Sequence, residues 1–187
     1  MPDDELWVIR HGETEWSRDG RHTSHTEVDL TAEGEQVAGA LADRLDGVQF
    51  DLVLTSPRLR ARRTAELAGY PDAHVEDDLT EWDYGEYEGV TTPEIREHVP
   101  DWTVWSHPCP GGESSEQVSR RLDRVVAKVR THGGRILVFS HGHASRALAA
   151  RWLGLPVSDG RHFLLGTATI SVLAHEHESP AVARWNS

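Results

Sequence analysis

Two histidines occupy the same local setting at distant points of the chain. The apolar run Leu6-Trp7-Val8-Ile9 stops at Arg10-His11-Gly12, and Ile136-Leu137-Val138-Phe139 stops at Ser140-His141-Gly142. An imidazole changes charge close to neutral pH and can act as nucleophile, proton carrier or metal ligand. One histidine behind a strand is usually incidental, but two in a repeated strand–His–Gly context point to a shared site. Two further stretches hold chemically capable groups. Arg58, Arg60, Arg62 and Arg63 form a cationic cluster, which on its own is equally a solvated helix face. The acidic stretch carries Glu76, Asp77, Asp78, Glu81, Asp83, Glu86 and Glu88, and residue types alone do not choose among them. The spacings His141-x-His143 and His175-x-His177 could suggest zinc or iron. Only two ligands are evident in the second pair, so a surface pair is the better reading there, and no metal is expected.

The elements that must position these groups read as alternating strands and helices. Leu6–Ile9, Phe50–Leu54 and Ile136–Phe139 are short apolar runs of the kind buried on both faces of a parallel sheet. Thr169–Ala174 alternates as a late strand. Helices are expected from Thr31, a capping residue, to Leu45, and over Leu59–Ala68, Ser115–Arg130 and Ala144–Leu153. On the third of these, Val118, Leu122, Val125, Val126 and Val129 share one face. The pattern predicts a three-layer α/β/α sandwich around a mainly parallel sheet, with residues 1–187 as a single domain. Residues 91–112, with four prolines, two terminal glycines and Trp102 and Trp105, read as a lid-like insertion with a short helix. In such a sheet the carboxyl ends of the strands form the ligand crevice, and helix N-termini there offer N–H groups to an anion.

The chain has 187 residues, 37% hydrophobic and 27% charged, which is enough for one domain with a proper core. Its 19 Lys and Arg against 31 Asp and Glu give a net charge of −12, which argues against a nucleic-acid or acidic-membrane binder. A single cysteine, Cys109, excludes an internal disulfide and fits a reducing compartment. The acidic start Met1-Pro2-Asp3-Asp4-Glu5 is not a signal peptide, and no run approaches the roughly 18 apolar residues of a membrane span. A cytoplasmic location is expected, and a homodimer through exposed apolar surface is left open.

Four blocks, in order, resemble the histidine phosphatase superfamily, the phosphoglycerate-mutase-like proteins. Arg10-His11-Gly12-Glu13-Thr14-Glu15-Trp16 is similar to its Arg-His-Gly signature, and Ser56-Pro57-Arg58-Leu59-Arg60-Ala61 to its second block. Leu79-Thr80-Glu81-Trp82-Asp83-Tyr84-Gly85 resembles the block bearing the acid, and Ser140-His141-Gly142-His143 the block bearing the second histidine. The resemblance implies a phosphatase in which His11 attacks phosphorus and becomes a phosphohistidine that water then hydrolyses. It implies that Arg10 and Arg60 clasp phosphate oxygens in paired contacts that a lysine cannot make. His141 and the Gly142 N–H would add hydrogen bonds, and Glu81 would protonate the leaving alcohol, with Asp83 the runner-up acid. Thr23 matches a polar phosphate-side position, Ser17 stands where mutases usually have asparagine, and Ser24 replaces a usual glycine.

The same chemistry serves a cofactor-dependent phosphoglycerate mutase, which needs more basic residues above the pocket. Arg96 is the only Lys or Arg between Thr91 and Gly112, and the mutases have longer chains, so hydrolysis is favoured. A non-catalytic phosphate-binding module is the remote alternative, and the intact set of five residues speaks against it. Finer similarity is to a subgroup with broad acid phosphatases and a sedoheptulose-bisphosphate phosphatase. It implies small phosphorylated metabolites, such as sugar phosphates, as partners and no cofactor.

Overall fold

The computed structural model describes residues 4–187. Its strands are β1 (Glu5–Arg10), β2 (Leu52–Thr55), β3 (His74–Val75), β4 (Arg135–Ser140), β5 (Ile170–Glu176) and β6 (Ser179–Arg184). Its helices are α1 (Glu15–Asp19), α2 (Ala32–Gly39), α3 (Leu41–Leu45), α4 (Leu59–Leu67), α5 (Thr92–Arg96), α6 (Ser115–His132) and α7 (Gly142–Trp152). The sheet order is β3-β2-β4-β1-β5-β6. The three pairings among β3, β2, β4 and β1 are parallel, and the two involving β5 are antiparallel.

The apolar runs lack alternation because helices cover both faces of the sheet. Leu6, Val8, Ile136 and Val138 face a core shared with Val118, Leu122 and Val125 of α6 and Leu148 and Trp152 of α7. Ile9, Leu137 and Phe139 face the opposite core, with Leu41 and Leu45 of α3 and Ala65 of α4. Each face therefore buries a full set of aliphatic side chains, and this burial supplies the main stabilisation. Ile95, Trp102, Val104 and Cys109 of the 91–112 segment pack into the first core.

Register then sets the site. In the β1–β4 pair Arg10 lies opposite Ser140, and the His11 N–H donates to the Ser140 carbonyl at 2.9 Å. The two histidines thus leave neighbouring strands at the same edge. The helix expected over Thr31–Leu45 is interrupted at Ala40, separating α2 from α3. Thr31 does cap it, its hydroxyl accepting from the Gly34 N–H. Gly34 has no room for a side chain: a Cβ would sit 2.2 Å from the Glu13 carbonyl, where the loop after β1 crosses α2. β3, β6 and α1 were not expected. β3 has two residues, β6 is half-exposed and contains Pro180, and α1 buries no side chain, so none carries a strong apolar period.

Candidate active site

His11 is 5% exposed, and its Nδ1–H donates to the Gly12 carbonyl at 2.7 Å. A carbonyl oxygen can only accept, so the proton sits on Nδ1 and the Nε2 lone pair is free. Burial, then the charges of Arg60 and Arg10, hold this imidazole well below its ordinary pKa. It is neutral at neutral pH. His141, the residue before α7, is fully buried and packs edge-on against His11 with ring centroids 5.3 Å apart. Its Nε2 lies 2.7 Å from the Ser56 hydroxyl, which follows β2. Burial first and Arg60 second lower its pKa well below the usual value too.

Arg10, the last residue of β1, donates from Nη1 to the Leu165 carbonyl at 2.6 Å. Arg60, in the first turn of α4, is fully buried and donates to the carbonyls of Thr23, Ser24 and Thr26, each at 3.1 Å. Arg10 Nε, Arg60 Nε and His141 Nδ1 are buried atoms with no hydrogen-bond partner among the described residues.

Glu81 sits at the N-terminus of α7. Its Oε1 accepts from the N–H groups of Trp82 (2.9 Å) and Ala144 (2.7 Å), and its Oε2 from His143 N–H (3.0 Å). These donors and the helix dipole suit a carboxylate. Gly142 lies between these groups: a Cβ there would make ordinary contacts, 3.4 Å from the Arg10 guanidinium and 3.6 Å from Glu81 Oε2.

A cavity of about 270 Å³ opens here. Of the expected residues, Arg10, His11, Ser17, Thr23, Glu81 and Gly142 line it; Arg60 and His141 lie behind, against His11 and the 23–26 turn. Ser17 also belongs to the α1 capping box, its hydroxyl bonded to the Thr14 N–H at 2.9 Å.

Further aromatic and charged residues surround the cavity. Tyr84 is buried, with its hydroxyl 2.6 Å from His143 Nδ1, and His22, Tyr84, Trp102, Trp105 and His143 form a chain of ring contacts. Burial lowers His22 to about 4 and carries His143 well below its usual pKa. Arg21 and Arg146 also line the cavity. Arg146 stacks 4.9 Å from the Trp105 ring and donates to the carbonyls of Gly160 and Arg161. Counting cations only within 91–112 misses both arginines. The His-Gly-His spacing was the one available signal for His143.

The other residues that the sequence singles out lie as follows. Asp83 faces His25 at 3.1 Å and does not line the cavity. Trp82 is core, edge-on to Trp105. Arg63 pairs with Glu35 and Glu66, and Arg58 with Glu27 and His25. His175 is not a surface residue: its side chain is 7% exposed and packs 5.2 Å from Trp152, while exposed His177 follows β5 in a turn with φ 53°, so the two share no strand face. Cys109 is buried, and burial pushes its thiol up to about 11.

The family model described as histidine phosphatase superfamily (branch 1) matches residues 6–187. The chain belongs to this superfamily. It is a phosphatase, an enzyme acting on phosphorylated substrates. It is 48% identical over 176 residues to an acid phosphatase of Mycobacterium tuberculosis, covering 92% of this chain and 87% of that one. It is 39% identical over 183 residues to a sedoheptulose 1,7-bisphosphatase of Saccharomyces cerevisiae, covering 80% and 68%. Among solved structures, that of the Mycobacterium tuberculosis open reading frame Rv3214 superposes with a TM-score of 0.93 at 44% identity, covering 98% of this chain and 97% of the other. In this histidine phosphatase, as the fold requires, the strand-end histidines meet at one edge of the sheet.

Proposed function

We propose that this enzyme hydrolyses phosphomonoesters of small metabolites, sugar phosphates foremost, through a phosphohistidine at His11 and without a metal. The observation that carries the reading is the state of His11. It is a neutral imidazole, its proton held on Nδ1 by the Gly12 contact, with buried nitrogens of Arg10, Arg60 and His141 that have no partner among the described residues. Buried donors of this kind require an acceptor, and a phosphoryl group supplies several. His141 Nε2 lies 2.7 Å from the Ser56 hydroxyl, and in this reading the hydroxyl donates to Nε2, so that the His141 proton is on Nδ1.

In the first step His11 Nε2 attacks phosphorus and the P–O ester bond breaks. The leaving oxygen takes a proton from Glu81. Oε1 already accepts two N–H bonds and Oε2 one, so the proton is carried on Oε2. Arg10 and Arg60 balance the charge on the phosphoryl oxygens, the task a metal performs elsewhere. In the second step the Glu81 carboxylate takes a proton from water, which attacks the phosphohistidine. Inorganic phosphate and neutral His11 result.

A cavity of about 270 Å³ with Arg21, His22, Thr92, His143 and Arg146 beyond the phosphoryl end suits a compact, polar and further charged substrate. The names of the acid phosphatase and bisphosphatase relatives support the same class. The test is phosphate release from p-nitrophenyl phosphate and a panel of phosphorylated sugars and sugar acids. Expected are hydrolysis, inhibition by vanadate and indifference to chelator. Loss of activity with chelator, or phosphoglycerate interconversion with a bisphosphate primer that outpaces phosphate release, would reject the reading.

A further inference from the structure

The turn formed by residues 23–26 is gripped from two sides by opposite charges. Both oxygens of Glu88 accept the Ser24 N–H at 2.9 Å, one also accepts the Thr26 N–H at 3.0 Å, and the other the Ser24 hydroxyl at 2.5 Å. From the other side Arg60 donates to the carbonyls of Thr23, Ser24 and Thr26. The turn thus offers N–H groups to the carboxylate and carbonyl oxygens to the guanidinium. Dipoles oriented this way strengthen one another and pass the effect of the anion to the cation. Arg60 needs such help. Its guanidinium is fully buried and every hydrogen bond it makes goes to a backbone carbonyl of this turn. A buried charge without compensation is costly.

Glu88 itself does not line the cavity, whereas Thr23 of the turn does. The serine at position 24 is a specific partner for this carboxylate, since a glycine there would lose the 2.5 Å hydroxyl contact.

We infer that Glu88 is a positioning residue: through the peptides of residues 23–26 it fixes the Arg60 guanidinium beside His11 and Thr23 in the cavity wall, and so sets affinity for the phosphoryl oxyanion without touching it. The inference rests on the phosphatase reading above, because it assigns Arg60 the oxyanion as its target. A brace that only stabilised the fold would be independent of Arg60. A relay through Arg60 would not.

The experiment measures vanadate binding to the full chain by calorimetry, which works for inactive variants, for wild type, Glu88→Gln, Arg60→Lys and the double variant. Glutamine keeps the size but turns an N–H₂ toward donors that the carboxylate accepted. Glu88→Gln should weaken binding about tenfold. In the Arg60→Lys background it should weaken it less than about twofold, because coupled residues are non-additive. Should Glu88→Gln fail to fold, Ser24→Ala removes one contact to the carboxylate. It should give a smaller loss that again vanishes in the Arg60→Lys background. Unchanged vanadate affinity, or losses that add in full, would overturn the relay while leaving the phosphatase reading intact if the wild type releases phosphate. A wild type that binds no vanadate would remove both.

Discussion

A histidine is a useful phosphorus nucleophile only if it is neutral and has its lone pair on the right nitrogen. The Gly12 carbonyl fixes the second condition and burial beside two guanidiniums fixes the first. Glu81 accepts three N–H bonds, and the proposed first step asks it to give a proton to the leaving oxygen. Glu81→Gln should therefore slow alkyl phosphates by about 10²-fold or more, yet slow p-nitrophenyl phosphate far less, as its phenolate leaves without help. Equal losses in kcat for both substrates would exclude the donor role. Arg146 makes a second prediction. With Nη1 making no hydrogen bond among the described residues and the guanidinium, itself in the cavity wall, stacked on Trp105, Arg146→Ala should raise KM for doubly anionic sugar phosphates more than for p-nitrophenyl phosphate. His11, Arg10, Arg60, Glu81 and His141 were legible because each lies in a block of recognisable pattern. Arg146 and Glu88 were not, since their roles come from contacts between segments that no local spacing encodes.

At the level of elements, two devices aim the chemistry. The β1–β4 register brings the histidines together, and α7 presents its first N–H groups to Glu81. A third device holds Glu81 from below. Arg121 of α6, buried, donates to the carbonyls of Asp78, Thr80 and Glu81 and pairs with Glu113, whose carboxylate in turn accepts the Asp83 N–H. Glu113 thus anchors the acid loop. Arg121→Ala leaves that carboxylate unpaired and should cost about 3–5 kcal/mol of stability, measured by urea unfolding, with a fall in kcat. By contrast Ser114→Ala, which removes the α6 cap, should cost about 1 kcal/mol and leave kcat/KM unchanged. Strands buried on both faces and helices with one apolar face were readable, because burial writes itself into composition. The break at Ala40 and the edge strands β3 and β6 were not, because short, half-exposed elements are fixed by their neighbours.

Over the whole molecule, a chain of net charge −12 surrounds a cavity with three arginines in its wall and Arg60 behind it. A small anion can enter such a site, whereas a polyanion meets a repelling surface. Burial of neutral imidazoles also sets the acid limit of the fold. His11, His22, His141 and His143 all have pKa values below the ordinary imidazole value of 6.5, burial being the first cause in each. Below that value the unfolded chain binds more protons than the folded one, so stability is full above about pH 6.5 and declines as pH falls. The share from His22 is lost down to about 4. The urea midpoint should drop between pH 7 and 5, above the range where carboxylates titrate; a constant or rising midpoint would contradict the neutral assignment. The most direct test of the whole account is to quench the enzyme during turnover of a ³²P-labelled sugar phosphate and locate the label. The account predicts acid-labile, base-stable phosphate on His11, absent from His11→Ala. Turnover with no labelled protein under rapid quench, or normal labelling of His11→Ala, would contradict it.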